Sequence, residues 1–120
     1  MLRVMVVDES TECAELLRQG LQVAGHVVVA STIDILAQVE RHKPDVIVIS
    51  MDSPGRDSLE HICVVSQNRP KPIVLFTQAQ DSNTIEAAVR AGVTAYVVDG
   101  LESSRVHSIL NVAVARFKRN

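Results

Sequence analysis

Residues Asp45 to Asp57 read DVIVISMDSPGRD, and the reading of this stretch decides the fold. Val46 to Ile49 are consecutive apolar residues, the pattern of a strand buried on both faces, and Ser53-Pro54-Gly55 behind them turns the chain sharply. The end of this strand carries Ser50, Asp52 and Asp57. An earlier apolar run, Val4 to Val7, closes the same way in Asp8 and Glu9. Two strands finishing in acid groups predict one shared site just beyond them.

Outward from that stretch, the chain alternates strand and helix patterns. Leu2 to Val7 reads as the first strand, followed by a helix capped by Ser10 or Thr11, with Ala14, Leu17, Leu21 and Ala24 inward and Gly25 as its terminator. Val27 to Ala30 makes the second strand. Thr32 caps a short helix whose apolar positions are Ile33, Leu36, Ala37 and Val39, and an extended Lys43-Pro44 break ends it. After the central strand, Asp57 or Ser58 starts a third helix that runs through Ile62 and Val65 and stops before Arg69-Pro70. Ile73 to Phe76 is the fourth strand, Ser82 to Ala91 the fourth helix with Gly92 at its end, and Ala95 to Val98 the fifth strand. Glu102 to Phe117 forms the last helix, with Val106, Ile109, Leu110, Ala113 and Phe117 on one side.

Strands joined by helix-length crossovers imply a parallel sheet covered on both faces, because each right-handed crossover lays a helix across it. The expected architecture is a single doubly wound α/β domain over residues 1–120, a (βα)5 flavodoxin-like unit with strand order 2-1-3-4-5. The chain then reverses direction between strands one and three, and ligands of such folds sit at that switch point. Asp8, Glu9 and the loop from 50 to 57 meet there.

Composition limits what this domain does. With 120 residues and 47% of them apolar, the chain can bury a real core, and with only 2% aromatic residues that core is aliphatic. A formal net charge of -2 argues against attraction of the domain as a whole to nucleic acid or an anionic membrane. Cys13 and Cys63 form no CxxC pair and fall on predicted helices where small buried thiols are common, so a reducing, cytoplasmic setting is expected. No window reaches the roughly 18 apolar residues of a membrane span, and the N-terminal run is too short for a signal peptide. The four histidines, His26, His42, His61 and His107, lack metal-ligand spacing and read as surface residues. No Gly/Ser-rich phosphate loop follows the first strand, which sets aside a flavin-binding module. Asp8 and Glu9 alone are too few carboxylates for a metal-dependent hydrolase.

VMVVDES, PDVIVISMDSPGRDSLE, PIVLFTQ and AYVVDG, in this order and spacing, resemble the receiver domain of bacterial response regulators over essentially the whole chain. The resemblance implies that Asp8 and Glu9 match an acidic pair that holds Mg²⁺. It implies too that Thr77 matches a hydroxyl contacting phosphoryl oxygens, and that Tyr96 matches an aromatic whose exposure changes on activation. At the position of Asp52 the family lends its metal a backbone carbonyl. DSPGRDSLEH, AYVVDGL and the terminal ILNVAVARF further resemble the receivers of ANTAR-type transcription antiterminators, in particular nitrate-assimilation regulators. In that group a coiled coil and a small RNA-binding domain follow the receiver, and neither is present in these 120 residues.

Two departures from the family govern the expected mechanism. Ser50 stands where receivers carry the phospho-accepting aspartate, and Asp99-Gly100 stands where they carry lysine and proline. A carboxylate attacks a phosphoryl group directly, whereas a serine hydroxyl keeps its proton at neutral pH unless a base removes it. Phosphoryl transfer also needs cations at the transferring oxygens, and here an acid replaces one. Like charges about 5 Å apart repel by roughly 3 kcal/mol at an effective dielectric of 20. The expectation is a non-enzymatic, atypical receiver that requires no cofactor, its Mg²⁺ site of Asp8, Glu9 and Asp52 weak or vestigial.

Each residue also has a plainer reading. Asp8 and Glu9 can be solvated residues opening a loop, Ser50 a small polar strand end, Asp57 a helix cap, and Asp99-Gly100 a turn whose acid meets a basic group on a partner. Asp52, which points the same way as Ser50 if the strand continues, is the alternative acceptor in a phosphorylation-competent receiver. Thr77 either ends its strand with a hydroxyl bonded to backbone or serves as a phosphate contact. Regulation is then expected through a partner sensor protein or self-association on the face of the fourth helix, fifth strand and fifth helix. Tyr96, Val98, Arg105 and Arg116 are the candidate contacts there.

Overall fold

A computed structural model describes residues 2–8, 25–30, 35–98 and 103–118. The predicted helix over 11–24, the Thr32 cap, Cys13, Glu9, Asp99 and Gly100 lie outside the described residues. So do the side chains of Asp8, His26 and His107.

The strands are β1 (Leu2–Asp8), β2 (Gly25–Ala30), β3 (Val46–Ser50), β4 (Ile73–Thr77) and β5 (Ala95–Val98). They form one parallel sheet in which neighbours follow the order β2-β1-β3-β4-β5. The described helices are α1 (Ile35–His42), α2 (Arg56–Asn68), α3 (Ser82–Ala91) and α4 (Ser103–Lys118).

Side chains alternate across the sheet, so each central strand feeds two cores. On one face Met5, Val7, Ile47, Ile49, Ile73 and Leu75 pack with Ile35 and Val39 of α1, Ile62 and Val65 of α2, and Ala88 and Ala91 of α3. On the other, Val4, Val6, Val46, Val48, Val74 and Phe76 pack with Val106, Leu110 and Ala113 of α4. Every residue of β3 is buried, and this is why Val46 to Ile49 are apolar without alternation before the strand ends at the polar Ser50.

The helix ends show how local chemistry places the loops. Asp81 caps α3, its carboxylate accepting from the Thr84 backbone N–H at 3.0 Å and the Thr84 hydroxyl at 2.6 Å. Gly92 closes the same helix at φ 113°, a conformation open to glycine, and a Cβ there would run into Ser66 of α2.

Four local expectations are corrected. Gly55, not Asp57 or Ser58, is the N-cap of α2; its carbonyl takes the Leu59 N–H at 3.0 Å, which places Asp57 within the first turn, where its charge favours the helix dipole. Lys43 is not extended but left-handed, at φ 48°, and its N–H reaches the Val39 carbonyl at 2.9 Å. Finishing the helix with this bond outweighs the usual bias of a residue before proline. On α1, Val39 faces the core and Leu36 packs against it as expected, Ile35, four residues before Val39, joins them, and it is Ala37 that departs from the expected stripe by being exposed. His42 is half-buried beside that helix end, while His61 is exposed as expected.

Candidate functional site

The crevice begins where the sheet ends. Asp8 is the register partner of Ser50, Ser50 of Phe76, and Thr77 of Val98. The last residues of β1, β3, β4 and β5 therefore form one rim at the carboxyl edge of the sheet. β1 and β3 are adjacent there while the strands that follow them, β2 and β4, lie on opposite sides of the pair, the arrangement that opens a crevice in doubly wound folds.

Ser50 lies at the end of β3 with no exposed surface. Its hydroxyl has no hydrogen-bond partner among the described residues. An orphaned buried hydroxyl costs about 1–3 kcal/mol relative to one that is paired. No described group is placed to take its proton, so the hydroxyl is not activated as a nucleophile from that set.

Asp52 does not continue the strand. β3 stops at Ser50, Met51 turns inward and is buried, and Asp52 is exposed in the bend that follows. The alternation that would aim Asp52 alongside Ser50 thus ends before reaching it. Its backbone carbonyl, by contrast, is fully engaged: the Thr77 hydroxyl donates to it at 2.9 Å and the Gln78 N–H at 3.1 Å. A carbonyl oxygen has two lone pairs, and both are taken.

Thr77, 5% exposed, uses its hydroxyl twice. It donates to Asp52 and accepts the Ala79 N–H at 3.2 Å. The Ala79 carbonyl in turn accepts the Tyr96 hydroxyl at 2.8 Å. One backbone residue is held from both sides, and the loop from 78 to 81 is tied to the β3 bend, to β5 and to the start of α3. Burial, then the nearby Asp81 carboxylate, pushes the Tyr96 phenol above its ordinary range. The Thr84 hydroxyl and then its backbone N–H hold Asp81 below the usual carboxylate value.

The described donors do not fit a bound Mg²⁺. That ion takes near-octahedral oxygen ligands, and here the Asp52 carbonyl is already saturated while Ser50 offers one buried, neutral oxygen. No group of three or more metal-binding side chains occurs among the described residues, a set that excludes the Asp8 side chain and Glu9.

The other candidates lie on the edge of the sheet. Tyr96 is half-buried with its ring packed on the first core, so most of that side chain serves the fold. Val98 is half-buried, and Arg105 and Arg116 are exposed. Arg105 lines a shallow groove of about 360 Å³ with Ala95, Ser108, Ile109 and Val112. Val112, 55% exposed on α4, and Val89, 57% exposed on α3, are large apolar side chains left on the surface of these helices. Sequence reasoning missed Gln78 and Ala79, which act through backbone atoms and carry no side-chain signal. It also passed over Asp81, although an aspartate immediately before a helix and three residues ahead of a threonine is a legible cap. No helix among the described residues is long and apolar enough to cross a membrane.

The response regulator receiver domain profile matches residues 4–111. The transcriptional regulatory protein PdtaR of Mycobacterium tuberculosis is 28% identical over 121 residues, a match covering 97% of this chain and 58% of PdtaR. The chain thus spans less than two thirds of that relative. Among solved structures, a response regulator from Thermotoga maritima superposes with a TM-score of 0.83 at 20% identity, covering 96% of this chain and 98% of the other. Chemotaxis protein CheY4 of Vibrio cholerae gives 0.79 at 22% identity, covering 94% and 98%. At these identities the likeness speaks for the fold alone.

Proposed function

The chain belongs to the response regulator receiver domain family, and from that premise we propose that it is an atypical receiver, regulating by protein contact without phosphorylation at the end of its third strand. The observation that carries this reading is Ser50: it fills the acceptor position with a neutral hydroxyl that is wholly buried and unpaired among the described residues. A group in that position is neither ionised nor presented to a phosphodonor. Asp99, where the family has lysine, adds an acid in place of the expected cation. Asp8, Glu9 and Asp52 are then the remnant of a Mg²⁺ site.

The regulated process we propose is transcription antitermination of the ANTAR type, in nitrate assimilation, in the cytoplasm. The sequence resemblance supports the subgroup, and the likeness to a protein named as a transcriptional regulator agrees with it. RNA would be met through a domain outside these 120 residues. The contact surface is α3, β5 and α4, offering Tyr96, Val98, Arg105 and Arg116 to a sensor protein or to a second copy. The exposed Val89 and Val112 and the groove beside Arg105 support that choice.

Incubation with acetyl phosphate and Mg²⁺ followed by intact-mass measurement tests the reading. The expected result is a chain of unchanged mass. A stoichiometric, hydroxylamine-labile phosphoryl adduct would overturn it, and an adduct mapped to Asp52 would establish the competing reading, a receiver that uses a displaced acceptor.

A further inference from the structure

We infer that the amino edge of the sheet carries a second ligand site, a cleft of about 430 Å³ between the segment before β4 and the last turns of α4 that takes a nucleotide, with its ring against Phe117 and its phosphate between Lys71 and Lys118. Asp45, which lines this cleft, immediately precedes β3, so the cleft lies at the opposite end of the strands from Ser50. The inference is independent of the reading of Ser50.

Charge is unevenly spread over this chain despite its formal net value of -2. Parallel strands all begin at one edge of the sheet, and the helices that run back across it end there. Cations gather at that edge: Arg3 near the start of β1, Arg41 in the last turn of α1 with Lys43 just after it, Arg69 and Lys71 ahead of β4, and Lys118 in the last turn of α4. Among the described residues the acids there are Glu40, which pairs with Arg69 at 3.6 Å, and Asp45. Lys71 and Lys118 line the one cleft, and neither has an ion-pair partner among the described residues. Two unpaired ammonium groups at one opening repel each other, and an anion between them removes that repulsion. The carbonyls that end α4 favour a cation by themselves; Lys118 in that turn and Lys71 beside it reverse the sign of the opening. Pro70 and Pro72 fix their own φ and restrict Lys71 between them, and the Pro72 carbonyl accepts the Ile47 N–H at 2.9 Å, so this wall is stiff before anything binds.

Phe117 supplies the flat surface. The chain has one tyrosine and two phenylalanines. Phe76 is buried and Tyr96 packs on the first core, whereas Phe117 is half-buried, joins neither core and lines this cleft with Pro70 and Pro72. An aromatic face beside cations suits a ring that carries a phosphate. Asp45 adds an acceptor: its Oδ2 takes the Arg3 N–H at 2.8 Å and its own N–H donates to the Arg3 carbonyl at 2.7 Å, which holds the carboxylate in place for an amino or hydroxyl group of the ligand. A simple anion would use the lysines and leave the ring and Asp45 idle, and a nucleotide uses all three. The volume lies within the range of small-ligand sites, about 300–1,000 Å³.

AMP, adenosine, inorganic phosphate and a short single-stranded oligoadenylate are titrated into the wild-type chain by calorimetry at low ionic strength. AMP is expected to bind more tightly than adenosine or phosphate, since it alone of the three joins ring and anion. Lys71→Ala and Lys118→Ala are each expected to weaken AMP about ten-fold, the worth of a hydrogen bond to a charged group. Phe117→Leu, which stays apolar but loses the ring, is expected to weaken it about five-fold. Arg56→Ala removes an exposed cation on α2, away from the cleft, and is expected to bind as the wild type does. Urea unfolding checks that each variant is folded, and the two lysine variants carry the test if Phe117→Leu is not. Oligoadenylate bound at least as tightly as AMP, with the same loss in the variants, would identify the nucleotide as part of an RNA; AMP bound more tightly would identify a free nucleotide, and both outcomes support the site. Absence of binding by AMP and oligoadenylate alike would overturn it, and so would binding that the cleft variants leave unchanged or that Arg56→Ala weakens equally.

Discussion

Ser50 and Thr77 end neighbouring strands of one sheet, both with a hydroxyl and both buried, yet they are opposites. Thr77 makes two hydrogen bonds and ties three segments together. Ser50 makes none among the described residues. The fold has integrated one hydroxyl and merely tolerates the other. A group retained for structure acquires partners in the resting state, whereas a position built around a different, charged group leaves a smaller substitute without any.

The sharpest way to break that contrast is to remove each hydroxyl in turn and measure the free energy of unfolding in urea. Thr77→Val, nearly the same shape, is expected to cost about 2 kcal/mol, because it strips the Ala79 N–H of its acceptor and the Asp52 carbonyl of a donor. Ser50→Ala is expected to be neutral or to stabilise by up to about 1 kcal/mol, since an unpaired buried hydroxyl gives way to an apolar group. Equal losses at the two sites would erase the distinction between them.

The smallest effect concerns the far end of the same loop. Asp81 titrates below its ordinary value of 3.8 because Thr84 bonds its ionised form. Its native pKa is the depressed one, so its contribution is present above 3.8 and is lost as the pH falls from there through the native value. Asp81→Asn should accordingly flatten the acid limb of the stability profile in that window. A profile that keeps its slope would show that the cap is not the titrating group.

Much of the fold was legible beforehand. β5 and α3 run over the residues their patterns indicated, because a helix with a glycine stop and a short apolar run between turns are local signals. The expected α/β class with a parallel sheet followed from apolar runs separated by crossovers of helix length. The errors were equally local in kind. Asp57 has the chemistry of a cap and lost that position to Gly55, since the path of the loop after Pro54, not side-chain preference, decided which residue preceded the first helical turn. Lys43 departed from the pre-proline rule because its N–H was needed to finish α1.

Residue identity along the chain determined that the strand-three acceptor of the receiver family is a serine here and that an acid follows strand five, and chemistry alone then weighs against phosphoryl transfer. It could not show that Ser50 is sealed from solvent, nor that the Asp52 carbonyl, the Thr77 hydroxyl and both polar atoms of Ala79 are joined to Tyr96. Those relations span up to 25 residues of chain and run largely through backbone atoms, which every residue has and no sequence pattern distinguishes. Only the parallel register of β3, β4 and β5 brings them within a hydrogen bond of one another.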